Sequence, residues 1–268
     1  MNILIGAANS ISFNQDYDPL DTLKFVQQTH LEIVQIYLNT YLLNNGKELR
    51  KIKNFLKKSS QLTCYFHSEM PLNIKLVSSE YYQLLYNYLE SFDHFRIIFH
   101  YDEKEKLENI LQTIQKLHRP NGRIYLENDF QSAGKSNAEK NLRKFLAIFS
   151  LSQNSDYLFY PVIDVPRFFM KKLGFTIEES LNWCFQLFNF FNDLRVPVLL
   201  HVIDAKDATQ QKNMYCPLGE GHIPYKNIFS FIKKNRMDLI EGIIFEYLDK
   251  INTLKSRENL NAILAASR

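Results

Sequence analysis

What most constrains this chain is a strict alternation. Short runs of apolar, β-branched or aromatic residues are each followed by a longer segment whose apolar residues return at three- and four-residue intervals. The short runs are NILIGA (2–7), EIVQIYL (32–38), LTCYFH (62–67), FRIIFH (95–100), RIYLEN (123–128), YLFYPVID (157–164), PVLLHVID (197–204) and LIEGIIFE (239–246), and they predict eight strands. The segments between and after them, from DPLDTLKFVQQT (18–29) to SRENLNAILAAS (256–267), predict eight helices. Ser78, Ser136 and Thr176 stand where N-caps are expected, and Pro120 with Gly122 separates the fourth helix from the fifth strand. Parallel strands need a long crossover between them, and a helix supplies it. Eight such units in succession predict a single (β/α)8 TIM barrel, an α/β fold, as one domain over residues 1–268. An open doubly wound sheet is the competing fold. It calls for a glycine-rich phosphate turn after the first strand, and GAANS (6–10) lacks the G-x-G-x-x-G spacing.

Composition narrows the class further. A content of 46% hydrophobic residues, with 21 Phe and 15 Tyr, is that of a globular chain with a large core rather than a disordered one. The net charge of +3 is spread over scattered basic pairs such as KK at 171–172 and 233–234, a balance that neither demands nor excludes nucleic acid. Cys64, Cys184 and Cys216 are odd in number and far apart, which fits reduced thiols better than a disulfide framework. MNILIGAANS reads as a first strand, not a signal peptide, and no apolar run approaches the roughly 20 residues of a membrane span. The expected location is the cytoplasm, with no membrane partner.

The functional clue lies where the strands end. In a TIM barrel the loops at the carboxyl ends of the strands converge on the axis and build the active site. From the third strand onward those ends carry His67, His100, Glu127, Asp164, His201 and Glu246, every one a metal-ligand type. Taken singly, a histidine after an apolar run is more often a hydrogen-bonded rim residue than a ligand, and a lone carboxylate is more often a loop cap. Three of only seven histidines with three carboxylates at corresponding places on six successive strands is not a chance pattern. Imidazole and carboxylate together suit one or two divalent ions, Zn²⁺ or Mn²⁺ first. Unpaired carboxylates crowded into a barrel mouth would repel one another, a cost that bound cations resolve.

The stretches FHSEMPLNI, IIFHYD, IYLEN, VIDVPR, HVIDAKD, CPLGEGHI and IIFE, in that order, resemble the xylose isomerase-like TIM barrels, the superfamily of endonuclease IV and of sugar isomerases and epimerases. The resemblance runs from residue 62 to 246. In the endonuclease IV pattern it implies one metal on His67, His100 and Glu127, and a second on Glu127, Asp164, His201 and Glu246. That family's third metal takes a histidine where this chain has Arg167, and an Asp-x-His where it reads KNMYC (212–216). The resemblance therefore implies a phosphoester hydrolase with a reduced two-metal centre, acting on damaged DNA or on a small phosphorylated substrate. In the isomerase and epimerase branch the same residues imply a single ion on Glu127, Asp164, His201 and Glu246, with Glu127 and Glu246 moving protons on a sugar. A third reading is a non-catalytic barrel that keeps its ligands as relics. Arg167, Lys206 and Glu220 are candidate substrate contacts, Arg167 as a bidentate anion binder in place of the missing metal ligand. Tyr37, Asn128 and His222 have position alone in their favour. The aromatic run WCFQLFNFF (183–191) reads as helix packing rather than a stacking platform.

Overall fold

In the computed structural model, residues 3–152, 158–235 and 238–266 are described. Asn2, Tyr157 and Ser267, at the margins of three predicted elements, lie outside them. Eight parallel strands close a barrel: β1 (Leu4–Ala8), β2 (Ile33–Leu38), β3 (Thr63–Ser68), β4 (Phe95–His100), β5 (Gly122–Glu127), β6 (Phe159–Asp164), β7 (Val198–Val202) and β8 (Ile240–Phe245). Each pairs with its sequence neighbours, and β1 closes on β8 through Leu4↔Gly242 to Ala7↔Phe245. The helices that follow the strands are α1 (Pro19–Gln28), α2 (Gly46–Lys58), α3 (Glu80–Leu89), α4 (Leu107–Leu117), α5 (Lys135–Ser152), α6 (Ile177–Leu194), α7 (Tyr225–Lys234) and α8 (Lys250–Ala266). The predicted single α/β barrel is the observed fold.

Two cores result, because successive side chains on a strand face opposite ways. Outward residues such as Phe66, Ile97, Leu126, Leu200 and Phe245 pack under the helices in one large cluster. Inward residues, among them Ile33, Tyr65, Ile98, Tyr125, Val162, Leu199 and Ile244, fill the barrel itself. Both faces being covered, the strands read as near-continuous apolar runs, which is why they stood out in the sequence. Tyr65 and Tyr125 donate their hydroxyls to Glu241 at 2.9–3.0 Å, next to a register shift in β8, so this acid is paired.

Three sequence expectations are corrected. The N-cap of α3 is Ser79, whose hydroxyl accepts from Tyr82 N, while Ser78 closes a short 3-10 turn before it. Ser136 is the second residue of α5 rather than its cap. The last helix begins at Lys250, well before Ser256, because KINTL carries too weak an apolar stripe to announce itself. Thr176 does cap α6, in a reciprocal capping box with Glu179. Cys64, Cys184 and Cys216 are all free thiols. Among the described residues no helix is long and apolar enough to cross a membrane.

Candidate metal centre

The six strand-end residues meet because of the two-residue period of the strands. The inward residues Tyr65, Ile98, Tyr125, Val162, Leu199 and Ile244 form part of the barrel filling. Two positions further on stand His67, His100, Glu127, Asp164, His201 and Glu246, so the same pleat lifts all six to the carboxyl end of the barrel. Register sets neighbours side by side, with His100 opposite Glu127 and Asp164 opposite His201. Glu246 continues β8, its N–H donating to Val202 O at 3.2 Å.

Glu127 is the hub. It is buried, and its Oε2 lies 3.0 Å from His67 Nε2 and 3.3 Å from His201 Nδ1, while Oε1 lies 3.4 Å from His100 Nε2. His67 Nδ1–H donates to the Ser68 carbonyl at 3.0 Å. On a neutral ring that bond leaves Nε2 as a bare lone pair facing a carboxylate oxygen, two acceptors with nothing between them to share. One donor atom from each of His67, His100 and Glu127 lies within 4.8 Å of the others. Donors around a tetrahedral zinc at about 2.1 Å sit roughly 3.4 Å apart, so the observed spacing fits a cation with little movement. The ring hydrogen bond to a backbone carbonyl is also the usual way a protein orients a histidine ligand. His201 is fully buried, its Nδ1 is 3.2 Å from Glu246 Oε1, and neither ring nitrogen makes a well-directed hydrogen bond.

Proton affinities follow this crowding. Burial holds His67 below the ordinary imidazole range, against the pull of Glu127. Burial opposes charge on His201 too, but Glu246 and Glu127 outweigh it and push it up to about 9. His100 is likewise raised, burial being overcome by Glu127. Burial would raise Glu127, yet His100 and His201 hold it well below the usual carboxylate range. Asp164 goes the other way, pushed up to about 7 by burial against the pull of Arg167, with Glu127 and Glu246 adding to the rise.

Arg167 follows β6 on the 3-10 turn Pro166–Phe169 and turns into the cluster. Its Nε donates to Asp164, its Nη1 to Asp129, and its Nη2 approaches His100 Nε2 and Glu127 Oε1 at 3.3 Å each. Asp164 is in turn clamped by Asn128, whose Oδ1 accepts from Asp164 N at 2.8 Å and whose Nδ2 donates to Asp164 O at 3.3 Å. The structure thus divides the six: His67, His100 and Glu127 form a compact donor set, His201 links Glu127 to Glu246, and Asp164 is bound to an arginine.

Sequence reasoning missed Gln35 and Asp129. Gln35 stands two residues beyond inward Ile33 on β2, the same offset that marks the other six, and donates to Glu246 Oε1 at 2.7 Å. Asp129 follows Asn128 directly and was readable only as a loop acid. Lys206 and Glu220 do not line the cavity above the cluster. Lys206 is exposed on a ribbon formed by Asp204–Ala205 and Tyr215–Cys216, and Glu220 accepts from Asn259 of α8 at 3.2 Å. His222 ties Ala205 O at 2.8 Å to Phe169 O at 3.3 Å.

The Gly-Glu-Gly turn owes its shape to Asp204 instead. This buried carboxylate accepts backbone N–H bonds from Ala205 and Gly219 at 2.9 Å, Gly221 at 3.0 Å and Ile223 at 3.3 Å. Gly219 adopts φ +85°, and a Cβ on Gly221 would stand 2.1 Å from Asp204 Oδ1, so both glycines are required.

Above the cluster opens a cavity of about 600 Å³. His67, His100, Arg167 and Glu246 form part of its floor, and the β1 and β2 loops supply much of its wall. Tyr37 and the highly exposed Tyr41 lie on that wall.

No protein-family model matches the sequence, and no curated protein matches it. Solved structures do share the fold. The protein of the AsfvAP:AG crystal structure matches with a TM-score of 0.66 at 12% identity, over 98% of this chain and 100% of that one. A xylose isomerase-like TIM barrel/4-hydroxyphenylpyruvate dioxygenase fusion protein matches at 0.65 and 11% identity, over all of this chain and 44% of its own length. AsbF of Bacillus anthracis, a probable 3-DHS dehydratase involved in petrobactin synthesis, matches at 0.60 and 12% identity, over 96% of this chain and 98% of that one. The chain shares with these proteins the closed (β/α)8 barrel that its strand and helix pattern led one to expect. At such identities the likeness is one of fold, and the reaction has to be argued from the site.

Proposed function

We propose that this chain is a divalent-metal-dependent phosphoester hydrolase whose ion is held by His67, His100 and Glu127. The observation that carries the reading is the group of three donor atoms from His67, His100 and Glu127 within 4.8 Å of one another, His67 Nε2 being 3.0 Å from Glu127 Oε2, beneath a cavity. When bound, the ion supplies Lewis-acid polarisation of a phosphoryl oxygen and an acidified water. Glu246 is the one carboxylate of the six-residue series with side-chain surface open to the cavity, 27% exposed, and Gln35 aims it there. It is the residue placed to take a proton from attacking water. Glu127 has imidazoles or a guanidinium within 3.4 Å on both oxygens and serves as an anchor, not as a base.

That last point weighs against the isomerase reading, which needs Glu127 and Glu246 to share proton transfer. The cavity wall weighs against a DNA duplex. Asp16, Asp18 and Glu48 line it, with Arg167 and Lys212 as its only Lys or Arg side chains among the described residues, a poor surface for a chain of phosphates. A small phosphorylated substrate suits it better.

The test pairs elemental analysis of protein purified without added metal with assays of wild type and His67→Ala. The substrates are bis-p-nitrophenyl phosphate, an abasic duplex and a panel of ketoses. Hydrolysis of the small ester that disappears in His67→Ala is expected. Ketose isomerisation that survives His67→Ala overturns the reading in favour of an isomerase. Absence of bound metal, with stability indifferent to chelator, leaves a non-catalytic barrel.

A further inference from the structure

We propose that Arg167 is a built-in cation standing where a second metal ion would otherwise sit, so that the chain holds one divalent ion and not two. The inference rests on the metal reading of His67, His100 and Glu127, and concerns the count of ions and the role of this arginine. Four carboxylates crowd this end of the barrel: Glu127, Asp129, Asp164 and Glu246. The guanidinium serves three of them together with His100, through Nε to Asp164, Nη1 to Asp129, and Nη2 at 3.3 Å from both Glu127 Oε1 and His100 Nε2. A planar fork with a permanent charge is the one side chain able to divide itself this way.

Its position is fixed from several sides. Val165 N donates to His201 O at 3.1 Å, and Gln210 Nε2 holds Pro166 O at 2.7 Å, so the backbone on either side of Pro166 is tied to β7 and the loop beyond it. Asn128 grips both backbone polar groups of Asp164. A second ion on Glu127, Asp164 and Glu246 would have to displace the guanidinium from Asp164, whose Oδ2 accepts from Arg167 Nε. Among the described residues, only His67, His100 and Glu127 bring three donor atoms within 4.8 Å of one another. His201 Nδ1 lies 3.3 Å from Glu127 Oε2 and 3.2 Å from Glu246 Oε1, but these three do not form such a group.

The experiment counts ions rather than turnover. Zinc is titrated into chelator-stripped protein by calorimetry, and zinc per chain is measured after dialysis, for wild type, Arg167→Met and Asp164→Asn. One ion in wild type and two in Arg167→Met are expected. Asp164→Asn is expected to keep one ion with affinity lowered by no more than about 10-fold, the low edge of changes outside the ligand set. Two ions in wild type, a single ion in a folded Arg167→Met, or loss of the ion in Asp164→Asn would each overturn the inference. Should Arg167→Met not fold, the wild-type count and Asp164→Asn decide it. A wild type that binds no zinc at all refutes the metal reading itself, a result distinct from the others.

Discussion

Asp204→Asn tests how the loop beside the cluster is built, in a change that adds no heavy atom to a fully buried site. Asp204 accepts two N–H bonds on each oxygen: Ala205 and Ile223 on Oδ1, Gly219 and Gly221 on Oδ2. An amide keeps one acceptor and turns the other into an NH₂ donor. In one orientation it faces the N–H groups of Gly219 and Gly221, and flipping it moves the conflict to Ala205 and Ile223. Either way two backbone donors lose their acceptor, at about 1–3 kcal/mol each. Against this stands relief of a buried charge, since burial raises the Asp204 carboxyl despite its four hydrogen bonds. That relief offsets part of a gross cost of about 2–6 kcal/mol, leaving a net loss of roughly 3 kcal/mol. With a urea slope of about 3 kcal/mol/M, a loss of ~3 kcal/mol moves the unfolding midpoint down by about 1 M. The measurement is urea denaturation at pH 7, followed by far-ultraviolet dichroism. A midpoint within about 0.2 M of wild type would refute the claim that Asp204 organises the turn.

Other expectations concern the same end of the barrel. Gly221→Ala places its Cβ 2.1 Å from Asp204 Oδ1 and 2.3 Å from Ala205 O, and is expected to cost ~1–3 kcal/mol by thermal unfolding, whereas Gly46→Ala, with nothing within 4 Å, is expected to be neutral or stabilising. Gln35→Leu frees Glu246 without touching the donor triad, so zinc content should stay constant while kcat falls by about 10–100-fold, and an unchanged kcat sinks the positioning role. In chelator-stripped protein, His201 has a folded pKa near 9 against an ordinary 6.5. Its contribution to stability is therefore full below pH 6.5 and lost as pH rises through 9. Urea midpoints taken across that window should fall, and a His201→Gln variant that falls just as steeply would assign the effect elsewhere.

The barrel and the six strand-end residues were legible because both follow from the same period. A strand that is apolar on both faces announces itself, and the position two residues past its last inward apolar side chain returns to the same interior. Applied to β2, that rule also reaches Gln35, which sequence reading passed over because an amide after Ile33 carries no metal-ligand signature. Termini of helices were less legible: Ser78 and Ser79 are chemically equivalent caps, and the 3-10 turn that selects Ser79 depends on how the β3 loop packs.

How the six divide lay beyond the sequence. The motif order placed Arg167 in the position of a missing ligand, but only the closed barrel shows its guanidinium reaching Asp164, Asp129, Glu127 and His100 at once. Glu220 read as a turn-anchored residue that either touches a ligand or orients one or the preceding loop; it accepts from Asn259 of α8, and the turn's geometry comes from Asp204, fifteen residues before Gly219. Periodicity determines which side of a strand a residue faces, and so gave the fold and the set of residues that converge. Which oxygen meets which donor is a distance of a few tenths of an ångström between strands far apart in the chain, and only tertiary packing decides it.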